Sequence, residues 1–207
     1  MKDNRGLSLI ELIVVIAIMA VLIGGSIFGL SMLLGVEARS ACKSMDAQLN
    51  DIKTGAMSRA SECMYIYYID VPSGDEDAYA QKGIDSPGFY ADKRIETIDN
   101  TTTIVQPIGD SEYSRIGAKK VTINATIGGT DYEIKNDGTT GIMLEFDRKS
   151  GKLKNAQMGT MSGTSSSADG TWSSSGDGVI TKMTFESGVR TYTITFDAEV
   201  GTHKIES

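Results

Sequence analysis

The start of the chain changes its polarity pattern part-way along. From Leu12 to Val36 no side chain ionises. At ~1.5 Å per residue these 25 residues make a helix of roughly 37 Å, longer than a hydrocarbon core of about 30 Å. From Val36 to about Ala60, Arg39, Lys43, Asp46, Asn50 and Lys53 interleave with Ala38, Ala41, Cys42, Met45, Leu49, Ile52 and Ala56. Met45, Leu49, Ile52 and Ala56 step by four, three and four, the stripe of an amphipathic helix. The pattern predicts one helix of about 80 Å from Leu7 to Ala60. Its half at 7–36, apolar but for Glu11 and a few small polar residues, is the membrane-spanning half, and its half at 37–60 offers one face to a folded domain.

Beyond Ala60 the pattern shortens towards that of strands. Met64 to Val71 is rich in tyrosine and isoleucine and reads as the first strand. Pro72 to Asn100 reads as an irregular loop with one turn of helix, acidic at Asp75, Glu76 and Asp77. Strand-like runs follow at Thr102–Ile108, Lys120–Ile127, Asp131–Lys135, Ile142–Asp147, Lys152–Gln157, Val179–Glu186, Val189–Asp197 and Thr202–Ile205. Gly128-Gly129 and Ser187-Gly188 are hairpin turns. Two segments resemble each other: Leu144 to Asp147 with Gly151 and Lys154, and Ile194 to Asp197 with Gly201 and Lys204. Each reads as a strand, an Asp-initiated turn, a glycine with positive φ and a return strand. Gly159 to Gly178, around the only tryptophan, reads as a flexible loop. Trp172 is either a surface contact there or folds back onto its own domain. The class is α+β: a long N-terminal helix packed on an antiparallel sheet, with residues 61–207 as one β-rich head.

Charge and composition narrow the chemistry. The 27 acidic residues outnumber the 20 basic ones, which argues against a nucleic-acid partner. There is one histidine, His203, and no triad context, metal-ligand spacing or phosphate-cradling loop. No enzyme, cofactor or metal is expected. Asp147 and Asp197 read as turn caps or calcium ligands; each turn offers few oxygens for a six- to eight-ligand ion, so capping is expected. Cys42 and Cys63 on one unbroken helix would lie about 31 Å apart, against a limit of roughly 7 Å for a disulfide. They pair only if the helix ends early; otherwise both are buried thiols.

One carboxylate, Glu11, stands at the edge of the apolar run, where insertion costs about 2.5 to 3.5 kcal/mol. Before it lie Met1-Lys2-Asp3-Asn4-Arg5-Gly6 and then Leu7-Ser8-Leu9-Ile10. A secretory signal peptide has a shorter apolar core and a small-x-small cleavage site. A lipoprotein site at Cys42 is excluded by Arg39, which stands where an aliphatic residue belongs. A basic leader ending in glycine, an apolar residue, a hydroxyl residue, aliphatics and a glutamate resembles the processing signal of type IV pilins and pseudopilins. Leu7 stands where phenylalanine is commonest, and Ser8 where threonine is.

The resemblance implies that a prepilin peptidase cuts between Gly6 and Leu7, leaving 1–6 as leader, and that the new terminus is methylated. It implies that Glu11 neutralises the terminal amine of a neighbouring subunit. That amine has a reference pKa of about 7.7 to 8.0, and an opposite charge within about 4 to 6 Å keeps both groups ionised. Lys2 and Arg5 favour a cytoplasmic N-terminus before assembly. Gly24-Gly25 reads either as close packing between membrane helices or as a segment that loses helix in the filament. The implied function is a major or minor pilin, a structural subunit of an extracytoplasmic filament whose partners are pilin subunits. The alternatives are a pseudopilin of a secretion or DNA-uptake machine and a membrane-anchored binding domain that never polymerises.

Overall fold

The structure is a computed structural model that describes residues 9–58, 62–99, 102–107, 113–147, 149–162, 171–197 and 201–206, with side chains described for 9–22 and again from Gly35 in the first helix. That helix, α1, runs without interruption from Leu9 to Ser58. Its 50 residues span ~75 Å. The backbone stays helical through Gly24 and Gly25. The stripe is buried as its spacing requires: Ala38, Ala41, Met45, Leu49, Ile52 and Ala56 are at most 1% exposed. Each Leu or Ile so buried contributes about 1.5 to 3 kcal/mol.

The strands are β1 (Glu62–Ile69), β2 (Gly88–Asp99), β3 (Thr102–Pro107), β4 (Tyr113–Ala118), β5 (Thr122–Ile127), β6 (Thr130–Ile134), β7 (Gly141–Phe146), β8 (Leu153–Ser162), β9 (Thr171–Gly178), β10 (Ile180–Ser187), β11 (Arg190–Asp197) and β12 (Thr202–Glu206). A one-turn helix, α2 (Glu76–Ala80), follows β1. The head holds two antiparallel sheets where one was expected. The first is ordered β3-β2-β1-β7-β8-β9, with β4 also on β2; the second is ordered β12-β11-β10-β5-β6. Helix α1 packs on both, touching β1, β4 and β7 of the first and β10 and β11 of the second. One apolar core therefore joins the stripe to one face of each sheet, with Met64, Ile66, Phe89 and Leu144 from the first and Ile123, Met183, Phe185 and Ile194 from the second.

Strand β1 explains the other half of the packing. Met64, Ile66 and Tyr68 point into the main core, while Cys63, Tyr65, Tyr67 and Ile69 point into a second cluster. The strand is buried on both faces, so its sequence is apolar and aromatic throughout, without alternation.

Three strands depart from expectation. β2 lies inside the segment read as a loop. Phe89 and Ala91 face the main core and Tyr90 the second, but Asp92, Lys93 and Arg94 break the apolar pattern. Their charges are matched by neighbours: Arg94 pairs with Asp92, and Lys93 with Asp51 of the helix. β4 and the Ser- and Gly-rich β9 carry little apolar signal and are held by pairing with β2 and β8.

The hairpin turns lie where glycine allows them. Gly128 and Gly129 have φ of 58° and 83°, the signs a two-residue hairpin turn needs, and β5 pairs β6 across them. The next hairpin closes on the pair Ser187–Arg190, so its turn is Gly188-Val189, one residue later than expected. The two similar segments are both hairpins, β7–β8 and β11–β12, with Gly151 and Gly201 at φ of 62° and 70°. Both turns reach Lys53 of the helix. Its Nζ donates to the Gly201 carbonyl at 3.0 Å, and a Cβ on Gly151 would lie 2.9 Å from the Lys53 carbonyl oxygen.

Candidate functional site

Glu11 sits in the first turn of α1. A carboxylate there faces the unpaired N–H groups and the positive end of the helix dipole, worth about 0.3 to 1 kcal/mol at an exposed site. Around it the helix is bare. Leu9, Ile10, Leu12, Ile13, Val14, Val15, Ile16 and Ile18 are all at least half exposed, whereas among the described residues from Gly35 onward the helix packs on the head. A soluble monomer rarely exposes a contiguous apolar surface of this kind.

Among the described residues no helix is long and apolar enough to cross a membrane. The apolar side chains described run from Leu9 to Leu22, a length of ~21 Å, short of a core of about 30 Å. The expected span of 7–36 is thus not shown by the structure. Gly6 and Leu7, the expected cleavage junction, lie outside the described residues. What the structure does place is an exposed apolar helix with its acid at the start and a buried stripe at its far end.

Residues 1–27 carry the prokaryotic N-terminal methylation motif. The methylation motif is the class III signal peptide of type IV pilins and pseudopilins, so the resemblance read from the leader and Glu11 holds. It implies processing by a prepilin peptidase and pilin assembly in general. The motif covers the leader and the bare part of α1 and does not extend into the head. No curated protein and no solved structure matches the chain.

The other residues singled out in the sequence fall into place individually. Trp172 is no free surface contact. It is half-buried on the second core, with its ring 5.3 Å from that of Tyr65 and edge-on to it, and its Nε1 donates to Gln157 Oε1 at 3.2 Å. Asp147 caps its turn: Oδ1 accepts from Ser150 N at 2.8 Å, Ser150 Oγ at 2.7 Å and Lys149 N at 3.1 Å. These bonds, first the Ser150 hydroxyl, hold its carboxyl below the usual carboxylate range. Among the described residues no group of His, Cys, Asp and Glu has the arrangement of a metal site.

Cys42 and Cys63 are both buried thiols outside any disulfide, Cys42 in the main core and Cys63 in the second, so the sheet separates them. Burial, helped by Asp46, pushes the Cys42 thiol up to about 11.

Sequence reasoning missed a polar centre inside the second core. Asp92 and Arg94 are 1% and 5% exposed. Arg94 donates from Nε at 2.8 Å and lies 2.7 Å away through Nη2, both to Asp92 Oδ2. The Tyr67 hydroxyl donates to the same oxygen at 3.2 Å, and the guanidinium lies 5.7 Å from the centre of the Tyr65 ring. Burial opposes the charge on Arg94, but the Asp92 hydrogen bond and charge outweigh it and raise its pKa. Burial, then the Asp92 charge, drives the Tyr67 hydroxyl far above its ordinary range. The available sequence signal was Tyr90, Asp92 and Arg94 at period two, one face of a strand.

Proposed function

We propose that this protein is a structural subunit, a major or minor pilin, of a type IV pilus-like filament, cleaved after Gly6 and assembled through its N-terminal helix. One observation carries the reading. Upstream of Gly35 the described helix is apolar and uncovered around Glu11, while downstream its stripe is fully buried in the head. An anchor for a binding domain needs only the first half; a packing rod fused to its head needs both.

Before assembly the uncovered half lies in the cell membrane with its N-terminus cytoplasmic. Afterwards it packs against the same half of other subunits, the cationic terminus of one beside Glu11 of the next. The role is mechanical and not enzymatic. A pseudopilin shares the motif, and the experiment separates the two.

Mass spectrometry of the protein from its native cells should show a mature chain beginning at Leu7, recovered in sheared surface filaments. The Glu11→Ala subunit should enter filaments far less than wild type while its head melts unchanged. Processed protein that stays in the envelope and never appears in sheared material supports the pseudopilin. A native chain that keeps Met1 to Gly6 overturns both.

A further inference from the structure

We propose that the cleft between α1 and β11, lined by Arg39, Lys43 and Arg190, binds the phosphate headgroup of an anionic phospholipid and seats the head on the membrane surface before assembly. The proposal rests on the membrane-anchored precursor inferred above.

Charge is the first argument. The chain carries a formal −7, yet the cleft gathers three cations. Its remaining lining is Cys42, Thr191, Tyr192 and Ile205, without a carboxylate. Lys93, Arg94, Lys120, Lys154 and Lys204 each have an acidic partner. Among the described residues no carboxylate pairs with Arg39, Lys43 or Arg190. Three cations held around one space without a counter-charge repel one another, and an anion relieves that repulsion.

Place is the second argument. The Arg190 side chain crosses the helix at Gly35, where a Cβ would lie 2.7 Å from its Cγ. The glycine lets the arginine stem lie against the helix backbone, one residue before Val36, where the run without ionisable side chains ends. Arg39 and Lys43 follow on one face, ~6 and ~12 Å further along the axis. The headgroup layer adds about 5 to 8 Å on each side of the hydrocarbon core. A helix apolar to Val36 puts Arg39 in that layer, and the Lys43 stem is long enough to reach down to it.

Shape is the third. The cleft holds about 430 Å³, within the range of small-molecule sites of about 300 to 1,000 Å³. Its lining joins three cationic side chains to the apolar surface of Ile205 and Tyr192, which suits an amphiphile better than a free anion.

The test uses the full chain in neutral detergent micelles, titrated with phosphatidylglycerol or phosphatidylcholine and read by native mass spectrometry and thermal melting. Wild type should retain phosphatidylglycerol in preference to phosphatidylcholine. The variant R39Q/K43Q/R190Q should lose that preference by on the order of a hundredfold, and Lys43→Gln alone by roughly fivefold. The single variant decides the matter if the triple one does not fold. Equal retention of the two lipids by wild type, or an undiminished preference in Lys43→Gln, overturns the proposal. Displacement of the lipid by millimolar inorganic phosphate overturns it in favour of a soluble anion. Displacement by a peptide of residues 70–80, with the run Asp75 to Asp77, overturns it in favour of a second copy of the chain. Carbonate extraction of wild-type membranes reads the anchoring separately: release of the chain overturns the membrane precursor, whereas equal lipid retention overturns only the headgroup site.

Discussion

His203 Nε2 lies 2.8 Å from Asp46 Oδ1, joining the last strand of the second sheet to the third turn of the buried helical stripe. β12 is an edge strand held on one side by β11. This bond ties it to the helix, as does the one from Lys53 to Gly201 just before the strand. The sequence separation is 157 residues, so the contact closes the head from its end back to its beginning. His203→Ala should cost about 0.5 to 1.5 kcal/mol and lower Tm by roughly 2 to 4 °C. Hydrogen exchange should quicken chiefly in 202–206. Uniform quickening across the head would mean the bond is not a local clasp.

The helical stripe belongs to the fold of the head. Leu49→Ala should destabilise it by about 2 to 5 kcal/mol. A fragment starting near Val36 should be soluble and melt cooperatively, and one starting at Met64 should aggregate, since both sheets would expose their inner faces. Equal folding of the two fragments, by calorimetry, would reduce α1 to an anchor.

Asp92 and Arg94 form a buried ion pair, and removing one partner strands the other. Asp92→Ala should cost about 3 to 5 kcal/mol, while a paired apolar replacement, Asp92→Leu with Arg94→Met, should cost less than either single change. Urea denaturation of the three variants gives the comparison. A double variant as unstable as the sum of the singles would refute the account.

Trp172 lies over Gly159, where a Cβ would come 2.6 Å from the indole Cζ2, and over the paired Gly141, where one would come 3.4 Å from Cζ3. The two bare glycines form the floor on which the ring rests. A Cβ on Gly159 would also collide with the Ser173 carbonyl oxygen, so Gly159→Ala should push β9 and the ring away together, cost about 1 to 3 kcal/mol by overpacking and shift the emission of the single tryptophan to the red. Unchanged emission would show that the ring does not depend on that floor.

The Cys42 thiol should be inert. Its pKa rises from about 9 in the unfolded chain to about 11 in the fold, so roughly one thiol in a thousand ionises at pH 8. The folded state thus holds the proton more tightly. The stability this contributes is fully present below about pH 9 and is lost as pH rises towards 11. Ellman's reagent should reach Cys42 and Cys63 only on unfolding, and melting of Cys42→Ala should show a weaker alkaline fall than wild type.

Read by itself, the sequence determined whatever is encoded locally. The methylation motif, the acid at its offset and the continuous helix come from residues within a few turns of one another. The stripe from Met45 to Ala56 follows from helical period alone. The hairpins at Gly128-Gly129, Asp147–Gly151 and Asp197–Gly201 follow from turns that need glycine at positive φ. Tertiary structure decided what depends on distant partners. β2 hides its charges because Asp92 meets Arg94 and Tyr67, and Lys93 meets Asp51 across 42 residues. β9, poor in apolar residues, is a strand because β8 lies beside it and Trp172 folds onto Tyr65. The split into two sheets, the separation of Cys42 from Cys63 and the gathering of Arg39, Lys43 and Arg190 are likewise absent from any short window of sequence. A helix period and a turn are properties of a few consecutive dihedrals, whereas a strand's partner and a charge's environment are set by chain that returns from far away.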